Sequence, residues 1–271
     1  MSHPGERELL SVAVHAARAA GDLLLERFRS GEQRQVSSKS TPTDLVSQAD
    51  LDAERTIRQL LGEMRPDDGF LGEESGGEAG TSGLRWVVDP LDGTVNFLFA
   101  IPQWCVSVAV QDDQGSLVGA IYDPCRGELF TAIRGEAARL EDLSGSEGPS
   151  GPQRVLASPL RDDLATAMLA TGLAYDARVR AAQADVLAQL IPRVRDIRRF
   201  GSAALDLAWT AAGRYDAYFE RTVKPWDIAA GTLICESAGL EVVELPERQD
   251  LPWGILVAAP ALCDALLVHP L

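Results

Sequence analysis

Histidine is scarce in this chain of 271 residues: His3, His15 and His269 sit near its ends, which argues against a histidine nucleophile or a His-ligated zinc. The four cysteines, Cys105, Cys125, Cys235 and Cys263, form no CxxC pair. That removes the zinc and dithiol-redox motifs and leaves buried free thiols as the reading. Positive charge is also short. With 25 Lys and Arg against 40 Asp and Glu, the net charge is −15, so nucleic-acid backbones and anionic membranes are not expected partners. No apolar run reaches the roughly 18 residues that a membrane span needs. Residues 1 to 25 are interrupted by Glu6, Arg7, Glu8, Arg18 and Asp22, so they lack the core of a signal peptide, and a cytoplasmic location is the expectation.

A hydrophobic content of 46% is present, enough for one large domain or two closely packed halves. Residues 6–29 carry Leu9, Leu10, Ala13, Ala16, Ala17, Ala20, Leu23 and Leu24 at helical spacing. A second helix is expected from an N-cap at Thr43-Asp44, through Leu45, Val46, Ala49, Ile57 and Leu61, to Pro66, with Asp50 on its early turns. Gly69 to Glu74 reads as a short strand delivering two glutamates, and Ser75 to Gly83 as a mobile loop. Strands at 106–110, 117–122 and 128–133, joined by turn-forming residues, predict an antiparallel sheet. The Gly/Ser/Pro-rich stretch 141–153 suggests a boundary between a metal-binding half, 1–150, and a second half, 151–271. In that second half a strand at 154–157, helices at 161–170 and 178–191, a strand at 196–200, a helix at 202–212, a strand at 215–220 and a helix at 227–238 argue an α/β layered arrangement.

The stretch from Trp86 to Phe97 runs an apolar strand into Asp89 and Asp92, with Gly93 and Thr94 directly after. Carboxylates are the preferred ligands of Mg²⁺, and a glycine opening a helix lets backbone amides approach a phosphate. A bound cation would also let so acidic a protein hold an anionic substrate. On its own the segment is equally an ordinary Asp-Pro/Asp-Gly turn.

Four segments taken together resolve that ambiguity: Asp44-Leu45-Val46-Ser47-Gln48-Ala49-Asp50, Gly72-Glu73-Glu74-Ser75, Asp89-Pro90-Leu91-Asp92-Gly93-Thr94, and Trp226-Asp227-Ile228-Ala229-Ala230-Gly231. In order and spacing they resemble the inositol monophosphatase family over nearly the whole chain. The resemblance implies an αβαβα layered sandwich of class α/β (α+β), with an antiparallel sheet in the N-terminal half and a mixed sheet in the C-terminal half. It also implies a homodimer, two or three Mg²⁺ per subunit, and inhibition by Li⁺. Carried over by position, Glu73, Asp89, the carbonyl of Leu91, Asp92 and Asp227 are the implied metal ligands. Asp50 and Thr94 would position the attacking water, making them, with Glu73, the catalytic candidates. Asp92, Gly93, Thr94, Ala203 and Glu220 are the implied substrate contacts, with Lys39 and Glu74 secondary. Trp226 is expected to pack in the core and fix Asp227, and the arginines at 193, 195, 198 and 199 to serve an interface or scaffold.

The implied activity is hydrolysis of a small polyol monophosphate such as inositol 1-phosphate. Glu220 favours a hydroxyl-rich alcohol and disfavours a second phosphate by repulsion. Histidinol phosphate, adenosine 3′,5′-bisphosphate and fructose 1,6-bisphosphate are the alternatives within the family, and a regulatory interaction role is the alternative outside catalysis. A covalent aspartyl mechanism of the Asp-x-Asp type is disfavoured, because here the aspartates are three apart, a spacing that changes the face each meets on a strand. The chain departs from the family at Ala100, where a glycine is frequent, and at Ser237-Ala238-Gly239-Leu240.

Overall fold

The computed structural model describes residues 4–31, 36–38, 45–145, 151–269 and 271. Helix α1 (Pro4–Ser30) presents Leu9, Val12, Ala13, Ala16, Ala17, Ala20 and Leu24 as one buried stripe, the face its periodicity predicts. Strands β1 (Val36–Ser38) and β2 (Leu45–Ser47) form a small antiparallel pair. Helix α2 (Gln48–Met64) therefore starts later than the sequence reading had it. Residues 45–47 are strand, and the helix is capped by Ser47, whose hydroxyl accepts from the Ala49 amide, while Asp50 closes a capping box. The cap expected at Thr43-Asp44 lies outside the described residues, as does Lys39.

Strands β3 (Gly69–Gly72), β4 (Gly76–Glu78) and β5 (Arg85–Asp92) come next, so the expected mobile loop contains a strand, β4, hydrogen-bonded antiparallel to β3. A one-turn helix α3 (Thr94–Leu98) leads into the meander β6 (Cys105–Asp112), β7 (Gly115–Asp123), β8 (Glu128–Ile133), β9 (Arg139–Asp142) and β10 (Gln153–Val155). These strands form an eight-stranded sheet ordered β10-β9-β8-β7-β6-β5-β3-β4, antiparallel except for the β3–β5 pair. Because β10 pairs with β9, the chain returns to the same sheet after the 141–153 stretch.

The segment 161–170 departs from the helix expected of it. Asp163 caps a single 3-10 turn at Leu164–Thr166, and the chain then extends as β11 (Met168–Thr171). Tertiary pairing overrides local propensity here: β11 runs parallel to two strands at once, β12 (Asp196–Arg198) and β13 (Ala217–Arg221). Helices α4 (Ala177–Leu190), α5 (Ala203–Ala211) and α6 (Pro225–Ser237) match the reading closely. Beyond 238 lie three elements the sequence reading did not assign: β14 (Glu241–Leu245), β15 (Gly254–Ala258) and α7 (Pro260–Leu267). The second sheet, β12-β11-β13-β15-β14, mixes parallel and antiparallel pairs.

Three apolar clusters define the layers. One packs α1 and α2 on the outer face of the first sheet, through Leu24, Ile57, Val88 and Val106. The second buries α5 and α6 between the two sheets, where Leu205, Leu207, Leu233 and Ile234 meet Val87, Ile121 and Phe130 on one side and Tyr218 and Val257 on the other. The third covers the far face of the second sheet with Val186 and Leu190 of α4 and Leu262 and Leu266 of α7. The order is αβαβα, as expected. The inner helix pair carries residues of the site described next. Among the described residues, no helix is long and apolar enough to cross a membrane.

Candidate active site

Strand β5 is buried along nearly its whole length, and its end delivers Asp89 and Asp92. In a regular strand, residues three apart face opposite sides. Here a bulge intervenes: Asp89 pairs with Ser107 and Asp92 with Cys105, so three steps on β5 match two on β6. The extra residue swings both carboxylates onto one cavity, which a regular strand would not do. Gly93 follows in the left-handed region, φ 96°, and a Cβ there would lie 2.9 Å from the Gln103 carbonyl oxygen. Only glycine fits that turn, which opens α3 and sets Thr94 at its first position.

The Thr94 hydroxyl lies 2.8 Å from Asp50 Oδ1 and 3.1 Å from the Leu91 carbonyl oxygen. One proton cannot serve both acceptors fully. The carboxylate oxygen, the nearer of the two, is taken as the acceptor, which leaves the Leu91 carbonyl available to another partner. Asp50 is itself buried, its other oxygen accepting from the Ser47 amide at 2.9 Å and the Ser47 hydroxyl at 2.5 Å. The capping box of α2 thus aims Asp50 at Thr94.

Glu73 follows β3, whose parallel pairing with β5 sets it beside the Asp89 end; its amide donates to the Val88 carbonyl at 3.2 Å. The next amide, that of Glu74, donates to the buried Glu54 carboxylate at 2.9 Å. Glu74 faces a separate surface groove with Arg55 and Arg58, apart from the cavity that Glu73 lines. Asp227 enters from the second half of the chain, on the first turn of α6, where it accepts from the Lys224 amide at 2.6 Å. Trp226 reaches the cavity wall as well as packing against the inner core, so its role exceeds the buried one expected of it.

Asp92 is the link between the halves. The Ser202 hydroxyl donates to it at 2.5 Å, and the Ala204 and Ala203 amides at 2.7 and 3.2 Å. Ser202 is also the N-cap of α5, so one hydroxyl both starts the helix and holds Asp92. Ala203 lines the cavity beside Glu220, which sits on β13 and accepts from the Tyr218 hydroxyl at 2.8 Å. Glu220 has room because Gly172 lacks a side chain: a Cβ there would overlap its carboxylate.

Together Glu73, Asp89, Leu91, Asp92, Gly93, Thr94, Ala203, Glu220 and Asp227 line a cavity of about 560 Å³. Its electrostatics are costly. Burial pushes the Asp89 carboxyl well above its usual range, and repulsion from Glu73, Asp92 and Asp227 adds to it. Asp227 is raised by burial and by Asp92. Burial lifts Asp92 to about 6 against the donors from α5, and Glu220 to about 7 against the Tyr218 hydrogen bond and the Arg199 charge. Among the described residues, no three acidic, histidine or cysteine groups close into a ready-made metal cage. Each carboxylate instead leans on a local donor: Asp89 on the Leu91 amide, Asp92 on α5, Asp227 on Lys224. A set of desolvated, mutually repelling carboxylates with an adjacent carbonyl has the donor chemistry of a hard divalent cation site.

The chain matches the description "Inositol monophosphatase family" over residues 6–269. It belongs to the inositol monophosphatase family. Membership places it among the phosphoric monoester hydrolases. It is 46% identical over 240 residues to the inositol-1-monophosphatase of Mycobacterium leprae, covering 86% of this chain and 80% of that protein. It is 41% identical over 254 residues to the Nus factor SuhB of Pasteurella multocida, covering 93% and 91%. In three dimensions it superposes on the extragenic suppressor protein suhB of Bartonella henselae with a TM-score of 0.84 at 36% identity, over 96% of both chains.

Other residues of this family member's cavity went unread in the sequence. Tyr175 and Asp176 reach it from the loop after β11, and Thr222 and Lys224 from the turn before α6, while Arg199, expected at an interface or scaffold, reaches it from the turn before α5. The arginine cluster divides: Arg193 and Arg195 donate to the backbone carbonyls of Gln189 and Thr166, Arg198 pairs with Asp196, and Arg199 lines the cavity. Asp206 had a visible signal, a lone carboxylate inside the apolar run of α5. It is buried with neither oxygen hydrogen-bonded, and burial, with Glu220 and Asp92 nearby, drives its carboxyl far upward.

Proposed function

We propose that the chain is a Mg²⁺-dependent phosphomonoesterase that hydrolyses a small polyol monophosphate such as inositol 1-phosphate to the free alcohol and inorganic phosphate. The observation that supports it is that one cavity holds both the cluster Glu73, Asp89, Asp92 and Asp227 and the separate acceptor Glu220. The family is metal-dependent, and Glu73, Asp89, the Leu91 carbonyl, Asp92 and Asp227 would hold two or three Mg²⁺. Bound there, the ions would neutralise the phosphate and acidify a water.

The chain's own residues do the rest. The Gly93 and Thr94 amides, at the start of α3, receive phosphate oxygens. The Thr94 hydroxyl donates its hydrogen bond to Asp50, which leaves the Thr94 oxygen's lone pairs to accept a hydrogen bond from the attacking water. Asp50 takes up the proton released, relayed through Thr94, as the water attacks in line. No covalent enzyme intermediate is needed. Glu220 accepts hydrogen bonds from the alcohol's hydroxyls and repels a second phosphate, which weighs against the adenosine and fructose bisphosphates.

We also propose a cytoplasmic homodimer. The Nus factor name of the Pasteurella relative raises an interaction role, but every implied metal ligand is retained here and the net charge of −15 opposes direct binding to nucleic acid. The test is phosphate release from inositol 1-phosphate, glycerol 2-phosphate, histidinol phosphate, adenosine 3′,5′-bisphosphate and fructose 1,6-bisphosphate, with Mg²⁺ and with chelator. The expected result is Mg²⁺-dependent turnover highest with inositol 1-phosphate. Equal rates in chelator would refute the metal site, and preference for a bisphosphate would refute the substrate class.

A further inference from the structure

We propose that Arg199 is a specificity-determining residue, paired with Glu220 across the cavity as a donor and an acceptor that together read adjacent hydroxyls of the leaving alcohol. The proposal rests on the polyol-phosphatase reading above. In a chain with 40 acidic residues, most arginines are spoken for: Arg126, Arg134 and Arg214 each pair with a carboxylate. Arg199 lines the cavity and, among the described residues, makes no hydrogen bond or ion pair. Gly201 lies at φ 84°, and a Cβ there would come within 2.3 Å of Arg199 Nη1, so the guanidinium rests against the bare Gly201 backbone.

The guanidinium feels Glu220 electrostatically, yet the two share the cavity without pairing. That contrast of charge sets the ligand chemistry. A guanidinium only donates and a carboxylate only accepts, whereas a hydroxyl does both. Two neighbouring hydroxyls can therefore accept from Arg199 at one oxygen and donate to Glu220 from the other. A second phosphate would satisfy Arg199 alone and bring its negative oxygens toward Glu220, which favours the diol.

The experiment compares kcat/KM for myo-inositol 1-phosphate with that for cyclohexyl phosphate, the same ring without hydroxyls, and with that for fructose 1,6-bisphosphate, in Mg²⁺-loaded wild type, Arg199→Met and Arg199→Lys. For Arg199→Met the inositol-to-cyclohexyl ratio should fall about tenfold, the weight of one hydrogen bond from a charged donor, and Arg199→Lys should recover part of it. Inhibition by free myo-inositol should weaken in parallel. Unchanged ratios in both variants would overturn the proposal, as would a loss confined to the bisphosphate, which would make Arg199 a second-anion contact. A wild type that hydrolyses cyclohexyl phosphate as well as inositol phosphate would instead overturn the polyol reading itself, and the proposal with it.

Discussion

Asp50 carries two duties that a pair of substitutions separates. One oxygen closes the capping box on the Ser47 amide and hydroxyl, and the other holds the Thr94 hydroxyl. Asp50→Asn keeps the shape but offers one acceptor and one donor in place of two acceptors. If its oxygen serves Ser47, its amide faces Thr94, whose hydroxyl then turns to the Leu91 carbonyl 3.1 Å away, and its lone pair is consumed. The proton path to a base is lost, so kcat should fall by about 10²- to 10⁴-fold, or roughly 3–5 kcal/mol of barrier. The weakened cap should cost about 1 kcal/mol of stability. Ser47→Ala should cost a similar stability, because it removes the hydroxyl that caps α2, while leaving the Asp50–Thr94 contact and most of kcat in place. Turnover at saturating Mg²⁺ and substrate, measured beside denaturant midpoints, decides the matter. If both variants lose activity in proportion to stability, Asp50 is a structural cap and the catalytic role assigned to it is wrong.

Gly231→Ala would bring a Cβ to 2.5 Å from Leu207 Cδ1, wedging α6 from α5; about 1–3 kcal/mol of destabilisation by chemical denaturation is expected. Its activity should drop as well and return in part when Leu207→Ala is added, and additive losses in the double variant would contradict the packing argument. In chelator, thermal stability should fall as pH rises. Asp92 and Glu220 bind protons more tightly folded, at about 6 and 7, than at their unfolded values near 4, so the folded form holds extra protons between those limits and loses that advantage as pH climbs through them. Melting scans from about pH 5 to about pH 8 should show this slope, with Mg²⁺ restoring stability at the alkaline end; a flat profile in chelator would refute the raised values.

Where the sequence was legible, one element stood on one periodicity. The stripe of α1 and the turn residues between β6, β7 and β8 needed only local rules. Segments whose state depends on distant partners were not legible. Met168–Thr171 is a strand because β12 and β13 flank it, and Gly76–Glu78 because β3 pairs with it. The site followed the same division. Its carboxylates were readable as motif residues, but the bulge that turns Asp89 and Asp92 onto one cavity is a property of the β5–β6 register. Arg199 was visible as charge, and its place in the cavity wall follows from how the turn before α5 folds back onto the site. Ala100, the departure from the family glycine, lies at φ 58°, a left-handed backbone that a glycine would adopt with less strain.

Asp92 belongs to the first sheet by chain and to α5 by hydrogen bonding, with the inner helices wedged between the sheets. On the site proposed above, hydrolysis is a readout of assembly. An intermediate in which either sheet has formed alone contains no working centre, however native its own strands. During refolding, phosphate release should return with the docking of the two layers and lag behind the recovery of secondary structure.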